Sequence, residues 1–166
     1  MVKKYIPNML TFSNLAFGIL SIIEVINKNY LLSTIFIISA ALVDRYDGKI
    51  ARALNVSSEI GKELDSLADL ISFGVAPAFL ILYKFGLNNN LLGIMIIMLY
   101  VICGCYRLAK YNITEFDGVF LGVPITICGM ILALISLLNI ESKIIIALFV
   151  FSLAYLMVSK LKLKKV

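Results

Sequence analysis

Four of the chain's five aspartates fall between positions 44 and 69, in or beside long apolar runs. An ionised carboxylate is costly there and marks function by default. Asp44 and Asp47 lie at the end of the second apolar run, in Asp44-Arg45-Tyr46-Asp47-Gly48-Lys49-Ile50-Ala51-Arg52. Asp65 and Asp69 open the third, in Gly61-Lys62-Glu63-Leu64-Asp65-Ser66-Leu67-Ala68-Asp69. Spacings of three and four residues put each pair on one face of an α-helix. A short connection makes the two helices antiparallel neighbours, with their acidic stripes facing each other. Four converging carboxylates repel unless protonated or neutralised. An all-oxygen ligand set without histidine suits Mg²⁺ or Mn²⁺, with Ca²⁺ as the alternative. Two such ions can share four ligands and clamp a phosphoryl group. Gly48, Ala51 and Gly61 leave room for a large anion near the backbone, and Arg52 can fork onto phosphate oxygens. The bland alternative is a set of helix-end charges paired with Arg45, Lys49, Arg52 and Lys62.

The elements that carry these residues are membrane spans. Apolar residues make up 61% of the 166, charged residues only 15%, and the mean hydropathy is +1.01. A water-soluble globule of this length could not hide that much apolar surface, and a disordered chain would not carry it. Long unbroken apolar runs exclude a barrel and leave an all-α polytopic membrane protein. Six stretches approach the ~20 residues needed to cross a bilayer: Met9–Ile26, Leu31–Ala53, Leu64–Tyr83, Leu91–Leu108, Val119–Leu138 and Ile144–Leu161. They form one domain over residues 1–166. With six spans, twelve of the fifteen basic residues share a side with both termini, and only Lys28, Lys84 and Lys143 lie opposite. That bias places the termini and the acidic motif on the cytosolic side of the cell membrane. The net charge of +5 therefore faces anionic lipid and calls for no nucleic acid. Cys103, Cys105 and Cys128 fall in apolar runs and are expected to be buried thiols.

Position for position, Asp44 to Asp69 resembles the signature D-x-x-D-G-x-x-A-R-x(8)-G-x-x-x-D-x-x-x-D of the CDP-alcohol phosphatidyltransferases, with all eight fixed positions at the right gaps. The resemblance implies six transmembrane helices and transfer of a phosphatidyl group from a CDP-linked lipid to an alcohol, with release of CMP. It also implies that Asp44, Asp47 and Asp65 bind the metals and that Asp69 contributes to them. Asp69 would be the base for the acceptor hydroxyl, and Gly48, Ala51, Arg52 and Gly61 would cradle the CDP moiety. Further stretches resemble the branch of that family whose acceptor is L-serine. These are Pro7-Asn8 to Asn14, Asp65-Ser66 to Ala78, Arg107-Leu108-Ala109-Lys110-Tyr111-Asn112 and Gly122-Val123-Pro124. By that resemblance Asn8, Thr11 and Ser66 are expected on the CDP-lipid, and Arg107 and Lys110 at the acceptor. Arg107 could fork onto the acceptor carboxylate.

Glycerol 3-phosphate and inositol phosphate are rival acceptors within the family. A divalent-cation transporter is the rival of another class, although its acidic residues should lie near mid-membrane. Asn8, Thr11 and Asn14 could contact cytosine or a lipid headgroup, or could equally cap the first helix. Pro77 with Gly74 can kink the third span. Tyr5, Tyr30, Tyr83, Tyr100, Tyr106 and Tyr111 fit interfacial belts. The family's habit implies a homodimer, and Gly74, Ala76, Ala78, Gly93 and Gly104 offer close helix approach, between subunits or within one.

Overall fold

The computed structural model describes residues 6–53, 58–113, 119–159 and 162–164. Helix α1 (Ile6–Ile26) turns back through Lys28, whose φ of 63° is left-handed, into α2 (Tyr30–Ala53). Ser58 caps α3 (Glu59–Asp69) by accepting the Gly61 N–H at 3.0 Å. The chain continues without a break through a π-helical turn, Leu70–Val75, into α4 (Ala76–Lys84). Helix α5 spans Leu91–Ile113, α6 Ile125–Ile135 and α7 Lys143–Val158. Outside the helices, β1 (Val119–Leu121) pairs antiparallel with β2 (Lys162–Lys164), with Phe120 opposite Leu163.

Helices α1 and α2 form a hairpin, α5 packs along α7, and the segment from α3 to α4 runs through the middle. In its most apolar window 56% of residues are buried, against 28% for α1 and for α5. Pro77 accounts for part of the π turn. It has no N–H to give the carbonyl four residues back, that of Phe73. The hydroxyl of Tyr100, fully buried on α5, donates to Phe73 O at 3.0 Å instead. Gly129 on α6 lets that helix meet the same backbone: a Cβ there would sit 2.7 Å from Phe73 O. Tyr100 is thus a core residue and no part of an interfacial belt.

Hydroxyl pairs stitch the helices where no water can. Ser21 meets Ser33 at 2.8 Å and Thr34 meets Ser136 at 2.7 Å. The outer surface is the reverse of a soluble protein's, with Ile26, Leu91, Ile144 and Tyr155 each about 70% exposed; lipid is the solvent that tolerates such a face.

Three helical segments among the described residues are long and apolar enough to cross a membrane: Asn8–Ile26, Glu59–Lys84 and Leu91–Ile113. Helix α2 has the length but carries Asp44, Arg45 and Asp47. The fifth apolar stretch departs from expectation. Its first part is strand β1, Gly122 follows at φ 74°, and Pro124 caps an α6 of only 11 residues. At ~1.5 Å per residue this helix rises about 16 Å, half of a ~30 Å hydrocarbon core. The small residues assigned to close approach are spent within one chain. Gly74, Ala76, Ala78, Gly93 and Gly104 are all buried, Gly93 against Leu87 and Gly104 against Ile125, so they serve packing within one subunit. Of the three thiols Cys128 is buried and Cys103 half-buried, but Cys105 is exposed on α5, a lipid-facing position.

Candidate active site

Helix α1 builds the site. The second and third spans are neighbours, as the short connection suggested: α2 packs on the π turn and α4 that continue α3, α2 and α3 both lean on α1, and their carboxylates come together. Thr11 and Asn14 stand three residues apart on α1 and so share a face. The Thr11 hydroxyl donates to Asp47 Oδ2 on α2, and the Asn14 amide donates to Asp69 Oδ1 on α3 at 3.1 Å. Both α1 side chains are buried, Asn14 at 1% exposure.

Carboxylate oxygens of Asp44, Asp65 and Asp69 lie within 4.8 Å of one another. Asp44 and Asp65 are half-buried and Asp69 is buried. Asp47, also buried, stands one helical turn from Asp44 outside this triplet, yet near enough to repel both Asp44 and Asp65. Three to four carboxylates at such separations repel unless some are protonated or a cation compensates them. The donors are all oxygen, and hard divalent ions fit them.

Arg107 on α5 is half-buried and close enough to Asp69 for their charges to interact. Its buried Nε has no hydrogen-bond partner among the described residues. Three residues further, Lys110 is exposed. Helix α5 is clamped to α3 by Asn112, whose amide donates to Ser66 Oγ at 3.0 Å and to Glu63 Oε1 at 3.1 Å. Lys62 Nζ closes the clamp on Asn112 O at 2.9 Å. Ser66 is therefore occupied by Asn112 at the α3–α5 contact.

Gly61 and Asn8 come together across α3 and α1: a Cβ on Gly61 would lie 3.5 Å from Asn8 Oδ1 and 3.1 Å from Ser58 Oγ. Gly48 is exposed at the mouth of α2. The side chains of Ala51 and Arg52 lie outside the described residues, although their backbone belongs to α2. Neither Asn14, read from the sequence as a substrate contact or a helix cap, nor Asn112 was expected to bond the residues it meets here. Their signal was an amide one turn beyond Thr11, and another five residues beyond Arg107.

Residues 4–158 match the family model for CDP-alcohol phosphatidyltransferase. The chain is similar to the CDP-diacylglycerol–serine O-phosphatidyltransferase of Bacillus subtilis, 41% identical over 95% of this chain and 89% of that protein. It is also similar to the protein of that name from Helicobacter pylori, 35% identical over 80% of this chain and 57% of the relative. With the archaetidylserine synthase of Methanothermobacter thermautotrophicus it shares 32% identity, over 97% of this chain and 70% of the other.

Proposed function

The chain belongs to the CDP-alcohol phosphatidyltransferase family, and from that premise we propose that it moves the phosphatidyl group of a CDP-linked lipid onto L-serine, releasing CMP. The observation that carries the reading is the convergence of Asp44, Asp65 and Asp69 beside Arg107. The cluster supplies what phosphoryl transfer needs, a place for cations and a base. Arg107 adds a partner for an amino-acid carboxylate.

Divalent-metal dependence goes with the family and with the acidic cluster. Asp44, Asp47, Asp65 and Asp69 would hold the ions, which we assign as two, Mg²⁺ or Mn²⁺. Bound there, such ions neutralise the pyrophosphate of the CDP-lipid and stabilise the CMP leaving group.

The remaining work falls to side chains. Gly48, Ala51, Gly61 and Asn8 admit the CDP moiety, and Arg52 holds its phosphates. Arg107 forks onto the serine carboxylate, with Lys110 adding positive charge at the entrance. Asp69 accepts the proton of the serine hydroxyl as that oxygen attacks the phosphorus bearing the lipid. The new O–P bond forms, the pyrophosphate bridge breaks, and its electron pair leaves with CMP. We further propose that the enzyme works in the cytoplasmic membrane as a homodimer with six spans, both termini and the site facing the cytosol.

Variants of the aspartates test this through serine-dependent CMP release and CDP-lipid binding. Asp44→Asn or Asp65→Asn removes a charged metal ligand, so metal affinity, CDP-lipid affinity and turnover all fall. Asp69→Asn keeps the size and one carbonyl oxygen. Binding is expected to survive while kcat drops by roughly 10²–10⁴-fold. The control Glu63→Gln lies off the acidic stripe, can still accept from Asn112, and retains most activity. Near wild-type turnover in Asp69→Asn would remove Asp69 as the base.

A further inference from the structure

Asn14 buries one polar atom without a partner. Its side chain is 1% exposed, its Nδ2 donates to Asp69 Oδ1 at 3.1 Å, and its Oδ1 receives no hydrogen bond among the described residues. A lone buried carbonyl oxygen is unfavourable, and an apolar side chain of the same volume would avoid it. The reverse orientation of the amide would set its oxygen against the carboxylate, acceptor on acceptor. What the amide contributes is therefore on its N–H side, at Asp69.

Two further contacts hold that bond in register. Asp69 ends α3 just where the π turn begins. Ser72, in that turn, donates to the main-chain oxygen of Asn14 at 3.0 Å. One helical turn along α1, Gly18 lets the same serine sit against the helix, since a Cβ there would lie 2.5 Å from Ser72 Oγ and 2.9 Å from its Cα. The backbone of α1 and the π turn are thus locked together beside the Asn14–Asp69 bond.

We propose that Asn14 is a positioning residue for the transfer reaction. It pins one oxygen of Asp69, so that the other is presented to the acceptor hydroxyl in a single orientation. This rests on the reading of Asp69 as the base. A carboxylate free to rotate would spend part of its time misaligned, and misplacement of that order costs up to about 10²-fold in rate. Asn14 touches no substrate in this scheme, so its loss leaves substrate affinity nearly intact.

The test is a double-variant cycle on the full chain in detergent or nanodiscs, with Asn14→Leu (near-isosteric) and Asn14→Ala, each alone and combined with Asp69→Asn. Melting temperature and CDP-lipid binding report on folding. Each Asn14 variant alone is expected to lose about 10- to 100-fold in kcat, with KM for CDP-lipid and for serine within about threefold of wild type. In the Asp69→Asn background the same change is expected to cost less than about twofold, because there is no longer a base to position. Wild-type kcat in both single variants, a loss confined to KM, or losses that multiply in the double variant would each overturn the proposal while leaving Asp69 as the base. A fast Asp69→Asn single variant would instead remove the base and this inference with it.

Discussion

Asp47 differs from the other motif carboxylates in what surrounds it. It is buried at 5% exposure, and the Thr11 hydroxyl is bonded to one of its oxygens. That bond restricts rotation of the carboxylate and leaves its remaining lone pairs for a cation. A hydrogen bond behind a metal ligand is commonly worth about 10-fold or more in metal affinity. Thr11→Val keeps the β-branched shape and removes the donor. It is expected to raise the Mg²⁺ or Mn²⁺ concentration for half-maximal CMP release by roughly 10-fold, with maximal rate nearly restored at saturating metal. An unchanged metal requirement would mean that Thr11 holds Asp47 for packing alone. At this scale the sequence was a good guide to residue type and a poorer guide to partner. The four aspartates stand out because charge is rare in apolar runs, and their helical spacing predicts two acidic stripes. Thr11 was expected on the lipid substrate, and the bond to Asp47 spans 36 positions that no local pattern encodes. Ser66 was expected there too, and its tie to Asn112 spans 46.

Among the elements, the π turn between α3 and α4 has the most consequences. Pro77 announces a missing N–H, so a break near Phe73 was legible. The donor that fills the gap was not, because Tyr100 sits in an apolar run whose position also suits an interfacial belt. The packing order of the helices escaped the sequence for a similar reason. Apolar periodicity tells which residues are in the membrane, but every face there is apolar, so it does not tell which helix lies beside which. Contact of α1 with both acidic helices leaves no mark in the apolar pattern. The same ambiguity let Gly93 and Gly104 pass as candidates for a subunit contact, although Leu87 and Ile125 already fill the space beside them. Gly18 tests the account of α1. Adding a methyl group forces α1 away from Ser72, an overpacking worth about 1–3 kcal/mol. Gly18→Ala is therefore expected to lower the melting temperature and to reduce kcat by disturbing Asn14 and Asp69, although it lies outside the acidic motif. Unaltered melting and turnover would show that α1 can shift without loss of the site.

On the scale of the whole molecule, the all-α membrane architecture followed from composition, since 61% apolar residues in 166 leave few other options. The departures come where backbone chemistry overrides hydropathy: Gly122 and Pro124 halve the fifth helix, and the first residues of that stretch pair with the Lys162–Lys164 strand. The 12:3 asymmetry of basic residues supports cytosolic termini. A reporter fused to the C-terminus is expected to be active only in the cytosol, and the protein in nanodiscs is expected to show the mass of two chains. A reporter active outside the membrane, or a single-chain mass, would refute the corresponding part. The central claim is the transfer to serine, and one assay addresses it directly. Purified protein is given a CDP-linked lipid, Mg²⁺ or Mn²⁺, and in turn L-serine, glycerol 3-phosphate or inositol phosphate, and CMP is measured. Release is expected with serine alone and is expected to stop on chelation of the metal; release with glycerol 3-phosphate or inositol phosphate and none with serine would contradict the account.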